Sequence, residues 1–182
     1  MTQPETLSRF PCTLILGGAR SGKSRHAESV CRATGLSRIY VATAAAYDDE
    51  MRERIATHRA MRGEDGWQTV EEQNYLSSAL VRELAPEQIV LVDCLTLWLT
   101  NRLLAEANMD EEFDRLVATL DQRRGPVVLV SNETGLGIVP ENKLARRFSD
   151  LQGRLNQRIA ALSTHVDFVA AGLPLTLKES SS

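Results

Sequence analysis

Apolar residues in this chain fall into short unbroken blocks, separated by longer stretches in which they recur every three or four positions. The blocks are "TLILGG" (13–18), "RIYVAT" (38–43), "IVLVD" (89–93), "VVLVS" (127–131) and "VDFVAA" (166–171). Each is rich in β-branched residues and bounded by turn formers, which predicts strands. Unbroken runs, rather than alternation, suit strands buried on both faces of a mainly parallel sheet. "QTVEE" (68–72) is a weaker candidate, and "LTLK" (175–178), after "GLP", reads as a returning edge strand. Helical spacing covers 22–34, 49–62, 75–84, 95–107, 110–124 and 141–163. The last of these puts Leu144, Phe148, Leu151, Leu155, Ile159 and Leu162 on one side. Strands alternating with helices predict right-handed crossovers and an α/β sheet covered on both faces, with its ligand at the carboxyl ends of the strands.

Composition narrows this picture without redirecting it. A chain of 182 residues suits a single domain, expected over 12–182, behind a polar extension at 1–11 that lacks the apolar stretch of a signal peptide. No apolar run reaches the ~18 residues that would span a bilayer. The net charge of −3 gives no basis for a nucleic-acid or membrane surface. Cys12, Cys31 and Cys94 lie far apart with no metal-binding spacing, so they read as reduced thiols of a cytoplasmic protein.

The candidate chemistry begins where the first block ends. Gly17-Gly18-Ala19-Arg20-Ser21-Gly22-Lys23-Ser24 fits G-x4-G-K-[ST] without a gap, between a predicted buried strand and a predicted amphipathic helix. Glycines let the backbone curl around an anion with successive N–H groups pointing inward, and the helix start adds partial positive charge. In this pattern Lys23 reaches the β- and γ-phosphates and the Ser24 hydroxyl ligates Mg²⁺. "QIVLVDCLT" supplies the usual partner, a strand ending in a carboxylate: Asp93 either holds the hydrated Mg²⁺ opposite Ser24 or caps the helix starting near Thr96. The fold class expected is therefore a P-loop NTPase of RecA-like type.

A second cluster lies in "DDEMRERIATHRAMRGEDGW" (48–67), where Asp48 or Asp49 is placed to cap a helix. At 100° per residue, Met51, Ile55, His58 and Arg62 share a stripe about 60° wide. His58 thus lies with the apolar face of a crossover whose preceding strand should end beside the phosphate loop. The positive charges of Arg59 and Arg62 favour neutral, nucleophilic imidazole at His58 and suit phosphate oxygens. The bland alternative is a histidine packed in the core. His26 and His165 are weaker candidates.

Taken together, these stretches resemble the adenosylcobinamide kinase/adenosylcobinamide-phosphate guanylyltransferase family of cobalamin synthesis. The matching segments are "GGARSGKSRHAE" (17–28), "YVATA…DDEMRERIATHR" (40–59), "VDCLTLWLTN" (92–101) and "VSNETGLGIVPENKLARRFSDLQGRLNQRIA" (130–160), within a likeness running from about 12 to 178. The resemblance implies two reactions: phosphorylation of adenosylcobinamide by ATP or GTP, then GMP transfer from GTP to adenosylcobinamide phosphate through a guanylyl-histidine. His58 matches that histidine; members can carry two adjacent histidines there, whereas this chain has Thr57-His58. Glu71 matches a nucleotide-contact position, and Thr43, at a strand end, is a similar candidate; each is otherwise an ordinary strand residue. "NETGLGIVPEN" (132–142) helps shape the substrate region in the family, or else simply joins strand to helix. Arg146, Arg147 and Arg154 either meet a neighbouring subunit's phosphates or form a solvated, salt-bridged face. Trp98 and Leu99 belong to core packing or a subunit contact, and the family suggests a homotrimer.

Two rivals remain at this stage. One is a P-loop small-molecule kinase without a covalent step, for which His58 is dispensable. The other is a RecA-like nucleotide switch acting on a macromolecule, which a net charge of −3 disfavours.

Overall fold

A computed structural model describes residues 9–45 and 64–180 of the chain. The expected helix over 49–62, with its Asp48 or Asp49 cap, lies outside the described residues. The strands are β1 (Cys12–Gly17), β2 (Ser37–Ala42), β3 (Trp67–Glu71), β4 (Gln88–Asp93), β5 (Val127–Asn132), β6 (His165–Ala170) and β7 (Leu173–Glu179). The described helices are α1 (Lys23–Ala33), α2 (Leu76–Glu83), α3 (Leu95–Leu104), α4 (Met109–Asp121) and α5 (Lys143–Leu162).

All seven strands form one sheet in the order β3-β2-β4-β5-β1-β6-β7. Its pairings are parallel except for the last, where β7 runs antiparallel to β6. The apolar blocks therefore became strands covered on both sides: β1 is buried at every position from Cys12 to Gly17. Alternate residues feed two cores. Leu14, Leu16, Val90, Val92 and Leu129 pack with Leu80, Trp98, Phe113, Leu116, Leu155 and Ile159 of α2 to α5. Ile15, Leu91, Val128 and Val130 pack with Ala27 and Cys31 of α1. Each fully buried leucine contributes about 2 kcal/mol. Trp98, fully buried against Phe113, is the single truncation expected to cost most on that side, about 3–5 kcal/mol.

Two helices stop short of the sequence pattern for local reasons. The stretch expected to be helical to 107 ends at Leu104, because Glu106 adopts a left-handed φ of 54° and Asn108 then caps α4, accepting from Glu111 N. The stretch expected to reach 124 ends at Asp121, where Arg123 folds back to donate to Leu120 O at 2.8 Å and to Phe10 O at 2.6 Å.

Candidate active site

Parallel strands align their carboxyl ends. Gly17 of β1 stands in register with Asn132 of β5 and Val169 of β6, while Asp93 of β4 is in register with Val130 and with Ala42 of β2. Along this edge the chain leaves β1, curls through residues 18–22 and enters α1 at Lys23. Two glycines permit the curl. A Cβ on Gly17 would sit 2.5 Å from both Ser21 Oγ and the Val169 carbonyl, and Gly22, with φ of 95°, would press a Cβ to 3.1 Å from Gly172 Cα. The turn closes through Ser21 N donating to Gly18 O at 3.3 Å.

Lys23 is 8% exposed, and its Nζ lies over the loop, donating to Gly18 O at 3.0 Å. Ser24, next on the helix, is half-buried, while Ala19 and Arg20 at the rim are exposed. Ser21 Oγ is buried without a hydrogen-bond partner among the described residues. Buried N–H and O–H groups without partners are costly, so a curl of this kind at a helix N-terminus suits an anion.

Asp93 lies two strands from β1, half-buried, with Tyr40 Oη donating to its Oδ2 at 2.8 Å. It does not cap α3, whose N-cap residue is Cys94. Thr43, expected to contact nucleotide, is fully buried; its hydroxyl donates to Cys94 O at 2.7 Å and accepts from Cys94 N at 2.8 Å. The side chain thereby fastens the end of β2 to the residue after Asp93. Asn101, overlooked in the sequence, secures the same corner by donating to Thr43 O at 2.9 Å and Gln73 O at 3.0 Å. Its signal was an amide on an otherwise apolar helix face in "LTLWLTN". Glu71 ends β3, exposed, four strands from β1 and so about 19 Å across the sheet.

The segment after β5 is tethered at both ends. Glu133 N donates to Gly17 O at 3.0 Å, and Asn142 caps α5 by accepting from Leu144 N and Ala145 N. Between these anchors Leu136, Ile138 and Val139 are 81%, 97% and 73% exposed. Beneath it, Ser131, Gln152 and Asn156 form a buried hydrogen-bonded set, and Asn156 holds Asn132 O at 3.0 Å. On α5, Arg154 pairs with Asp110, and Arg146 donates to the carbonyls of Pro140 and Glu141, so these two arginines are engaged within the chain. Arg147 is exposed.

Both histidines among the described residues, His26 and His165, reach Asp167 of β6. His58, Arg59 and Arg62 lie outside the described residues. The three thiols are buried and unpaired by disulfides. Burial pushes Cys31 up to about 12 and Cys94 up to about 11, and raises Cys12 as well, so none is a ready nucleophile. Among the described residues no helix is long and apolar enough to cross a membrane.

The family model described as cobinamide kinase / cobinamide phosphate guanyltransferase matches residues 13–177. A Pseudomonas aeruginosa relative, "Bifunctional adenosylcobalamin biosynthesis protein CobP", is 50% identical over 167 residues, covering 91% of this chain and 96% of its own. A Salmonella typhimurium relative, "Bifunctional adenosylcobalamin biosynthesis protein CobU", is 40% identical over 180 residues, covering 91% and 98%. Among solved structures, the P4 protein of bacteriophage phi6 in complex with ADP superposes with a TM-score of 0.53 at 16% identity, covering 100% of this chain and 61% of that one. A Pyrococcus horikoshii OT3 protein gives 0.56 at 11% identity, covering 97% and 90%. These two likenesses support the α/β P-loop NTPase fold of RecA-like type.

Proposed function

Because this chain belongs to the cobinamide kinase / cobinamide phosphate guanyltransferase family, we propose that it carries out both reactions on one triphosphate site at the carboxyl edge of β1. In the first, the γ-phosphoryl group of ATP or GTP passes to the aminopropanol hydroxyl of adenosylcobinamide. In the second, an imidazole nitrogen attacks the α-phosphorus of GTP and pyrophosphate leaves, giving a phosphoramidate. A phosphate oxygen of adenosylcobinamide phosphate then attacks that phosphorus, the P–N bond breaks, and the GDP-linked product departs from a regenerated histidine.

The observation that carries this reading is the curl from Gly17 to Ser24, held between a fully buried strand and α1, with the Lys23 ammonium over its mouth. Gly17, Gly18, Ala19, Arg20, Ser21 and Gly22 wrap the phosphates with backbone N–H groups, and Lys23 neutralises charge there in both steps. The donor set also fits Mg²⁺: a hydroxyl at Ser24 and a carboxylate at Asp93, oriented by Tyr40, are hard oxygen ligands on one sheet edge. When bound, the ion supplies charge neutralisation to the phosphates. By their match to the family pattern, Thr43 and Glu71 are the remaining nucleotide contacts in this reading, with Glu71 accepting from the guanine edge.

His58 is the nucleophile in this proposal. Support comes from its place in the family pattern and from elimination: His26 and His165 are committed to Asp167, and the thiols are buried with raised pKa values. Arg59 and Arg62 keep the His58 ring neutral and meet phosphate oxygens. GTP labelled at the α-phosphorus should leave an acid-labile, alkali-stable label on the protein, and His58→Ala should remove it. Normal labelling of His58→Ala defeats the assignment, and an unlabelled wild type that still phosphorylates adenosylcobinamide leaves the plain kinase.

The buried, unpaired thiols fit a cytoplasmic setting. Leu173, Leu175 and Leu177, exposed at every second position of edge strand β7, support a homo-oligomer, a trimer by resemblance. Light scattering of the purified protein tests this, and a monomer overturns it.

A further inference from the structure

Strand β6 buries a carboxylate where an apolar residue would be the ordinary choice. Asp167 is 4% exposed and stands in register with Ile15, which packs with Ala27 and Cys31 of α1, so it faces α1. A lone carboxylate there would be strongly disfavoured, but both oxygens are occupied. Oδ2 accepts from His26 Nε2 at 2.7 Å, and Oδ1 accepts from His165 Nε2 at 2.9 Å and Thr176 Oγ1 at 2.9 Å. An ionised carboxylate only accepts, so both imidazoles present Nε2–H to it. Burial alone would push the Asp167 carboxyl up; the bonds from His26 and Thr176 and the nearby His165 outweigh it and hold the group below the usual carboxylate range.

Its three partners belong to three places: His26 to the first turn of α1, His165 to the start of β6, Thr176 to β7. The hairpin of β6 and β7 also meets the phosphate loop directly. Gly172 N, at the hairpin turn, donates to Ser21 O at 2.8 Å, and the Val169 carbonyl and Gly172 Cα occupy the space that side chains on Gly17 and Gly22 would need. Lys23 and Ser24 therefore lie between two anchors, Ser21 and His26, and both anchors lead into the same hairpin.

We propose that Asp167 is a positioning residue of the triphosphate site, locking the first turn of α1 to the β6–β7 hairpin through His26 and Thr176 and so fixing where Lys23 and Ser24 meet the phosphates. This rests on the phosphate-loop reading above. A loosened clamp leaves the phosphate-binding groups in place chemically but spreads their orientations, and the bound triphosphate must then restore the order. The loss falls on nucleotide affinity in both reactions and spares the corrinoid.

The test is binding of a fluorescent GTP analogue, with steady-state kinetics and thermal melts, on wild type, Lys23→Ala, His26→Ala, His26→Gln and Thr176→Val. His26→Ala should weaken GTP binding and raise KM for nucleotide about tenfold, the order of one charge-assisted hydrogen bond. The KM for corrinoid should hold. His26→Gln, whose amide N–H can donate to Asp167, should recover most of the loss. Thr176→Val, similar in volume without the hydroxyl, should lose about two- to threefold. If His26→Ala melts lower yet binds GTP like wild type, Asp167 serves stability alone and the proposal falls. It falls equally if His26→Gln binds as weakly as His26→Ala. Should His26→Ala not fold, Thr176→Val decides, and wild-type GTP binding by that variant overturns the clamp. A wild type that binds no GTP, or binds it unchanged after Lys23→Ala, defeats the site reading instead.

Discussion

Two loops leave neighbouring strands on the same sheet edge, joined by the bond from Glu133 N to Gly17 O, and they are built in opposite ways. The loop after β1 turns inward. Its lysine is buried, its Gly17 and Gly22 pack against the backbone of the β6–β7 hairpin, and it has no room for a Cβ at Gly17. The loop after β5 turns outward, and a Cβ on Gly137 would meet nothing within 4 Å. Among the described residues its Leu136, Ile138 and Val139 stand exposed, apolar side chains on an outward-facing loop. A small charged ligand of fixed shape is best met by a rigid, pre-formed cradle. Exposed apolar side chains beside that cradle suit a large partner with apolar surface of its own.

The strongest way to break this comparison is at the lysine. Lys23→Ala removes a charge from the mouth of the inward loop without touching either core, so phosphorylation and guanylylation should both fall by about 10²–10³-fold or more while the melting temperature holds. Activity within a few fold of wild type would mean the cradle holds something other than a triphosphate.

Next in size is a paired glycine substitution. Gly17→Ala forces a methyl against the Val169 carbonyl, which is backbone and cannot rotate away, so a loss of about 2–4 kcal/mol and of GTP binding is expected. Gly137→Ala meets open space and should stay within about 0.5 kcal/mol. Urea unfolding of the two variants measures the contrast; equal losses would show that the outer loop is as tightly specified as the inner one.

The inner loop was readable from sequence because its physics is local. A glycine-rich turn between a buried strand and a helix needs its residues in fixed order, so "GGARSGKS" announces itself, and the continuous apolar runs likewise announced five parallel strands and, more weakly, β3. The edge strand was legible too, from "LTLK" after "GLP". What remained hidden is contact across the chain. Thr43 was read as a nucleotide-contact candidate at a strand end, and no local pattern signalled its hydroxyl's bond to Cys94, 51 residues away. The block "VDFVAA" carries no sign that Asp167 is held by His26 and Thr176, which lie on other elements. Tyr40 and Asn101 hold the Asp93 corner by the same kind of distant pairing. Periodicity reports which face a residue takes, and it carries no information on which distant side chain waits there.

The smallest expected effect probes the outward loop itself. Ile138→Ser replaces an almost fully exposed isoleucine, so it should leave the melting temperature and GTP affinity unchanged, since little packing is lost. If the exposed apolar row serves the corrinoid, KM for adenosylcobinamide should rise about three- to tenfold, the value of roughly one partly buried side chain, with kcat at saturation retained. If the row instead meets a second subunit, the same substitution should shift the assembly mass measured by light scattering and leave that KM alone at concentrations where the oligomer persists. The two readouts separate the two partners on one variant. A change in neither would show that the contrast between the loops is one of packing alone, with the outer row serving no contact that either measurement reads.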